Sequence, residues 1–199
     1  MCDLHDCSWG EGWHEEAALV TASFLENNNF GAPKILNLVV PDPRNPDGSS
    51  TEPCRGRTSF LVNTIVQRIM EAKVKDAMYM SVYNSHSAKA AGEIVKRIAQ
   101  VYPGYSCVVS GTQLRVYYGH KEVATLTLLS LANPNASRSH GASEVYVDGC
   151  EEMTKSFKMG PLVMFLQGAK LIVVNKEGKL WPEKNADKLA KYMETHTYP

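Results

Sequence analysis

Apolar positions along this chain switch repeatedly between two periods. Residues 15–26, "EEAALVTASFLE", carry them at helical spacing, whereas "KILNLVV" at 34–40 is a short apolar run closed by Pro41, the pattern of a buried strand. Residues 41–53, "PDPRNPDGSSTEP", hold four prolines and one glycine in polar filling, which marks a loop. A helix is predicted from about Thr58 to Ala72, with Phe60, Leu61, Ile65 and Ile69 on its inner face. "AMYMSVY" (77–83) predicts a second strand, and "SHSAKAAGEIVKRIAQVY" (85–102) a helix begun by a serine cap and stopped by Pro103-Gly104. Between 105 and 131, "YSCVVS", "TQLRVYY" and "EVATLTLLSL" predict three strands broken at Gly111 and Gly119, the first two forming a hairpin. "SEVYVD" (143–148) and "KLIVVN" (170–175) read as further strands, "GPLVMFLQ" (160–167) as a short helix and 183–194 as a closing helix. Such alternation predicts an α/β fold.

Composition narrows the function classes. At 199 residues there is room for one ordinary domain with a full core and little else. Apolar residues at 44% and charged residues at 21% are normal for a soluble globular protein. The 21 basic and 21 acidic residues cancel, so any contact with nucleic acid must be local. The polar, acidic start "MCDLHDCSWGEGWHEE" is unlike a targeting signal, and no apolar run reaches membrane-span length, so no membrane partner is expected. Five scattered cysteines without a secretory signal predict reduced thiols and an intracellular, non-secreted protein.

The stretch "EPCRGRTSFLV" (52–62) raises the first chemical question. A phosphate-binding loop joins a buried strand to a helix through a glycine-rich turn ending G-K-[ST]. Backbone N–H groups and the helix dipole hold phosphate oxygens, the lysine adds a point charge and the hydroxyl binds magnesium. Here "KILNLVV" supplies the strand and Gly56-Arg57-Thr58 the end of the turn. Thr51 stands where the first glycine belongs, and Arg57 brings a planar fork in place of a compact ammonium. Alone, these residues read more readily as a polar loop before an ordinary helix cap.

The second candidate is "SEVYVDGCEEM", a buried run ending in Asp148, where P-loop ATPases keep their magnesium-associated carboxylate. In ATPases of the additional-strand type a glutamate commonly follows it and polarises the attacking water; here that residue is Gly149. By itself Asp148-Gly149 reads more readily as a turn after a strand.

Taken together, the features from residue 34 to Asn175 resemble the ATPase domain of the herpesvirus-type large terminase subunit, the motor that packages viral DNA. "LVVP" followed by "CRGRTSFLVNTI" matches that family's strand, arginines, G-K-T, aromatic residue and hydrophobic helix, and "MYMSVYNSHSAKAAGEIVKRI" its next strand and lysine-bearing helix. Its N-x-N-x-x-R pattern, with the arginine ten residues ahead of the aspartate, is matched by Asn133, Asn135 and Arg138 ahead of Asp148.

The resemblance implies an additional-strand, RecA-like P-loop fold, a three-layer sandwich with a mainly parallel central sheet. It spans 34–182, preceded by an N-terminal segment and core-packed helix (1–33) and followed by a C-terminal helix and tail (183–199). It implies ATP and Mg²⁺ as cofactors, with Arg55, Gly56, Arg57, Thr58 and Ser59 at the nucleotide and Thr58 and Asp148 at the metal. Arg138 is then a candidate sensor of nucleotide or partner, or else a structural arginine tying its loop to the sheet. Implied partners are other terminase subunits, the portal, double-stranded viral DNA and copies of the chain in a homo-oligomeric ring, in the host nucleus.

Departures bear on activity. The family lysine is Arg57, its catalytic glutamate is Gly149, and its coupling motif corresponds to "VVNKEG" with Asn175. The RNase H-like nuclease domain of complete terminases is expected to be absent. Losing a positioned general base costs about 10²- to 10⁴-fold in rate. A weakened or inactive ATPase is therefore expected, with Glu151 and Glu152 as the carboxylates left to take over the water. The competing readings are a non-catalytic interaction protein keeping the fold for viral capsid or terminase assembly, and a small α/β protein whose site lies elsewhere. In the last case Gly56–Thr58 and Asp148 would not meet at one sheet edge.

Other candidates carry less. Cys2, His5, Cys7 and His14 are zinc-ligand types without the paired spacing of a finger, and loose packing is expected there. His86, His120 and His140 assemble no triad, and Lys89, Lys96 and Arg97 read as a solvated helix face.

Overall fold

A computed structural model describes residues 13–41, 56–71, 78–84, 87–130, 142–149, 168–176 and 189–198. Among these residues, three helices, α1 (Trp13–Glu26), α2 (Arg57–Glu71) and α3 (Ser87–Val101), accompany one eight-stranded sheet. Its strands are β1 (Ile35–Val39), β2 (Met78–Asn84), β3 (Tyr105–Ser110), β4 (Gln113–Tyr118), β5 (Lys121–Ser130), β6 (Glu144–Asp148), β7 (Lys170–Asn175) and β8 (Met193–Thr197). They lie in the order β3-β4-β5-β2-β6-β7-β1-β8. Pairing is parallel from β5 through β8, and the β3-β4 and β4-β5 pairs are antiparallel.

This is the expected α/β fold with a mainly parallel central sheet, in which β7 separates β1, the strand before the loop into α2, from β6, the strand ending in Asp148. Parallel strands are covered on both faces and so read as near-continuous apolar runs. All five residues of β1 and all six of β7 are buried.

Alternation sorts the strand residues between two faces. Leu36, Leu38, Met80, Val82, Tyr146, Ile172 and Val174 join one core with Trp13, Ala17 and Phe24 of α1, Phe60, Ile65 and Ile69 of α2, and Ile94 and Ile98 of α3. The described helices therefore share a face. Ile35, Val39, Val145, Val147, Leu171 and Val173 point the other way and are equally buried. The helix expected at 160–167 lies outside the described residues.

Sequence and structure part at the C-terminus. Where the end of a closing helix and a tail were expected, Met193–Thr197 is a strand hydrogen-bonded in parallel to β1. The sequence "METHT" has no apolar alternation to announce this. The edge position beside β1 selects the strand, and the expected helical stretch 183–188 lies outside the described residues.

Candidate nucleotide site

Gly56, the residue before α2, has a φ of +66°. Its carbonyl accepts the Phe60 N–H at 2.9 Å, which opens α2. Arg57, Thr58 and Ser59 thus form the first turn, all three half-buried. The first N–H groups of a helix have no intrahelical acceptor, and the positive end of its dipole adds to their attraction for an anion. Glycine suits this position for two reasons. The left-handed φ is open to it at little cost, and a Cβ there would stand 3.2 Å from His14 Nε2.

Asp148 reaches the same place from the far end of β6. The Thr58 hydroxyl donates to Asp148 Oδ2 at 2.5 Å, across 90 residues of sequence. Backbone bonds align the strand ends around them: Gly149 N–H donates to Val174 O at 3.1 Å and Val40 N–H to Asn175 O at 2.9 Å. A hydroxyl and a carboxylate are hard oxygen donors of the kind magnesium prefers, and beside a helix N-terminus they fit a magnesium-bound polyphosphate. Thr58 and Asp148 are the residues that would hold the metal, which would neutralise phosphate charge there. Among the described residues no group of three or more His, Cys, Asp or Glu gathers as a metal centre.

Asn175 ends β7 on the opposite face. Its amide donates to Asn37 Oδ1 at 2.7 Å, and Asn37 Nδ2 in turn donates to Thr195 Oγ1 at 3.4 Å. The expected coupling residue is therefore built into a polar line crossing β7, β1 and β8, and its side chain is not joined to the Thr58–Asp148 pair. Arg55, Arg138, Glu151 and Glu152 lie outside the described residues, as do Cys2, His5 and Cys7 of the N-terminal Cys/His group. His14, the fourth member of that group, packs beside Gly56 and against Phe60, with ring centroids 5.5 Å apart. Lys96 is exposed as expected, and Arg97 is half-buried.

Sequence reading passed over two buried residues of the neighbouring strands, Asn37 and Tyr198. Asn37 is a polar interruption in an apolar strand, which was its one visible signal. Tyr198 is buried, its N–H donates to Val39 O at 2.9 Å, and its hydroxyl finds no hydrogen-bond partner among the described residues. Burial, followed by the charges of Glu16 and Glu194, pushes that hydroxyl's pKa up.

The lower ends of the same elements are fixed by charge. Arg68 of α2 pairs with Glu144 of β6 at 2.6 Å, and the buried Tyr146 hydroxyl donates to Glu144 Oε2 at 2.7 Å. Burial works against the Arg68 charge, but the hydrogen bond and charge of Glu144 outweigh it and hold the guanidinium protonated. The Lys170 ammonium donates to the carbonyls of Phe24, Leu25 and Asn27 at the C-terminal end of α1, where a helix favours a cation. Burial, with Lys34 nearby, lowers its pKa. These contacts set α1 and α2 against β6 and β7, and with them the position of Thr58 relative to Asp148.

No protein-family model matches this chain, and no curated protein does. Solved structures do match. The large terminase of the thermophilic bacteriophage D6E superposes with a TM-score of 0.60 at 11% identity, over 90% of this chain and 44% of that one. The same terminase in complex with ATP-gamma-S gives 0.58 at 12% identity, over 91% and 43%. The large terminase ATPase domain of Thermus phage P74-26 gives 0.51 at 12% identity, over 78% and 63%. The chain thus has the fold of a terminase ATPase domain and spans less than half the length of the D6E protein. These matches are to phage terminases and do not single out the herpesvirus type.

Proposed function

We propose that this chain is a terminase-like, nucleotide-binding ATPase domain of viral DNA packaging in which hydrolysis is weakened or lost. The observation that carries the reading is the meeting of Thr58 and Asp148 at the first turn of α2, with Gly56 in a left-handed turn before it. Likeness to a terminase solved with ADP and with ATP-gamma-S supports a nucleotide as the ligand. Arg57, Thr58 and Ser59 would face the phosphates, and Thr58 with Asp148 the magnesium.

Weak turnover follows from two residues. Arg57 replaces the point charge of a lysine, and Gly149 follows Asp148 where a catalytic carboxylate is expected. Gly149 moreover has φ +81°, so the backbone at that position is shaped for glycine. The motifs around Arg55, Arg138 and Asp148 favour the herpesvirus type within the terminases, and with it the host nucleus, a portal, double-stranded DNA, sister subunits and a homo-oligomeric ring as surroundings.

Calorimetric titration with Mg-ADP and Mg-ATP tests the reading. Binding up to millimolar concentration, abolished by Thr58→Ala and by Asp148→Ala in folded protein, is expected, with phosphate release near the uncatalysed background. No binding by the wild type at millimolar nucleotide overturns it.

Gly149 also favours a second reading, a non-catalytic protein that keeps the fold for assembly in a capsid or terminase complex. On that reading Arg57→Lys alters nucleotide affinity and leaves packaging unchanged.

A further inference from the structure

We propose that the first turn of α1 is a clamp holding both ends of the phosphate loop, with His14 positioning its downstream end and Trp13, through Tyr198, its upstream end. This inference rests on the nucleotide reading for its purpose but on separate contacts for its geometry.

At the downstream end, the His14 ring lies where a side chain on Gly56 would go, and meets Phe60 edge-on at 5.5 Å between centroids. Gly56 and Phe60 are the residues whose backbone bond opens α2, so the ring packs on the hinge between loop and helix. Trp13 stands 4.3 Å from His14 and 5.1 Å from Phe60, nearly perpendicular to the former. At the upstream end, Trp13 contacts Tyr198 at 5.6 Å, and Tyr198 is tied by its N–H to the carbonyl of Val39, the last residue of β1. Trp13 and Tyr198 are 5% and 2% exposed, so the cluster is part of the core and not a surface patch.

The physical consequence concerns order. A loop that must present several N–H groups to one polyphosphate loses affinity for every degree of freedom frozen on binding. With Arg57 in place of a compact lysine charge, more of the phosphate binding falls to backbone N–H groups, whose order before binding then counts for more. The ring shape of His14 supplies that restraint, making it a positioning residue.

Hydrogen exchange on the nucleotide-free protein, read by mass spectrometry, tests the clamp independently of binding. In His14→Ala, amides of residues 60–62, the first of α2 whose N–H groups have helical acceptors, are expected to exchange at least tenfold faster while those of α3 are unchanged; His14→Phe, which keeps a ring, is expected to retain wild-type protection. Mg-ADP affinity is expected to fall by about tenfold in His14→Ala and to return to within about threefold in His14→Phe, the size of a modest ordering cost. Unchanged exchange at 60–62 in a folded His14→Ala protein overturns the clamp. If His14→Ala does not fold, His14→Gln and His14→Phe decide: equal protection in both overturns it, and protection kept only by the ring supports it. If the wild type binds no Mg-ADP, the nucleotide reading fails alone, and the exchange data still decide the clamp.

Discussion

Thr58 and Asp148, 90 residues apart, share a hydrogen bond of 2.5 Å that joins the start of α2 to the end of β6. Because the acceptor is a half-buried carboxylate, the bond has charge-assisted character and should be measurable as a coupling. A double-mutant cycle of Thr58→Val and Asp148→Asn, followed by urea unfolding without nucleotide, is expected to give about 1–2 kcal/mol. Additive single effects would mean that the two groups do not interact in solution.

Gly149 and Gly92 should respond oppositely to alanine. Gly149 has φ +81°, where a side chain is strained, so Gly149→Ala is expected to lose about 1 kcal/mol and Gly149→Glu at least as much. Gly92 lies in α3 with nothing within 4 Å of an added Cβ, so Gly92→Ala is expected to gain about 0.5–1 kcal/mol. At this chain length each kcal/mol moves the melting temperature by about 2–4 °C, within reach of calorimetry. The strain at Gly149 also means that restoring a glutamate there does not by itself rebuild a catalytic base.

Arg68 holds a carboxylate that would otherwise be buried alone. Glu144 is 5% exposed and receives both Arg68 and the Tyr146 hydroxyl. Arg68→Met is expected to cost about 2–3 kcal/mol, less than a fully buried pair because the arginine keeps some solvent contact. The double variant Arg68→Met, Glu144→Met is expected to recover most of that loss in urea titrations, since it removes the stranded charge as well.

Alkaline pH should weaken the fold through Tyr146. Burial, reinforced by Glu144, raises this hydroxyl well above its ordinary pKa of 10.0. Above pH 10 the unfolded chain therefore releases a proton that the folded chain keeps, and stability falls as pH rises; below it the contribution is fully present. Tyr198 and Cys107 act in the same direction from 10.0 and 9.0, whereas Lys170, lowered from 10.5, opposes them. Tyr146→Phe is expected to be about 1 kcal/mol less stable near pH 7 but to lose stability less steeply between pH 10 and 11, measured as the urea midpoint against pH.

Most elements were legible because their signals are local. The short, mostly apolar run of β1, the Phe60-Leu61-Ile65-Ile69 stripe of α2 and the glycine-separated β3 and β4 each declare a period within a few residues. β8 was not legible. Its "METHT" carries no strand pattern, and only the vacant edge beside β1 makes it a strand. His14 was misplaced for a related reason: with Cys2, His5 and Cys7 it was expected to be loosely packed, whereas its ring packs beside Gly56 and Phe60.

From sequence alone came the residue types able to bind phosphate and magnesium, Gly56, Thr58 and Asp148, and the order of strands and helices that carries them. Only tertiary structure decided that Thr58 and Asp148 meet, that Asn175 turns to Asn37 on the other face, and that His14 of α1 packs beside Gly56 and Phe60. The physical reason is distance along the chain. Apolar period and turn chemistry act over a few residues, but the meeting of two polar groups 90 residues apart depends on which strands become neighbours, and that is settled by burying β1, β7 and β6 side by side in one sheet.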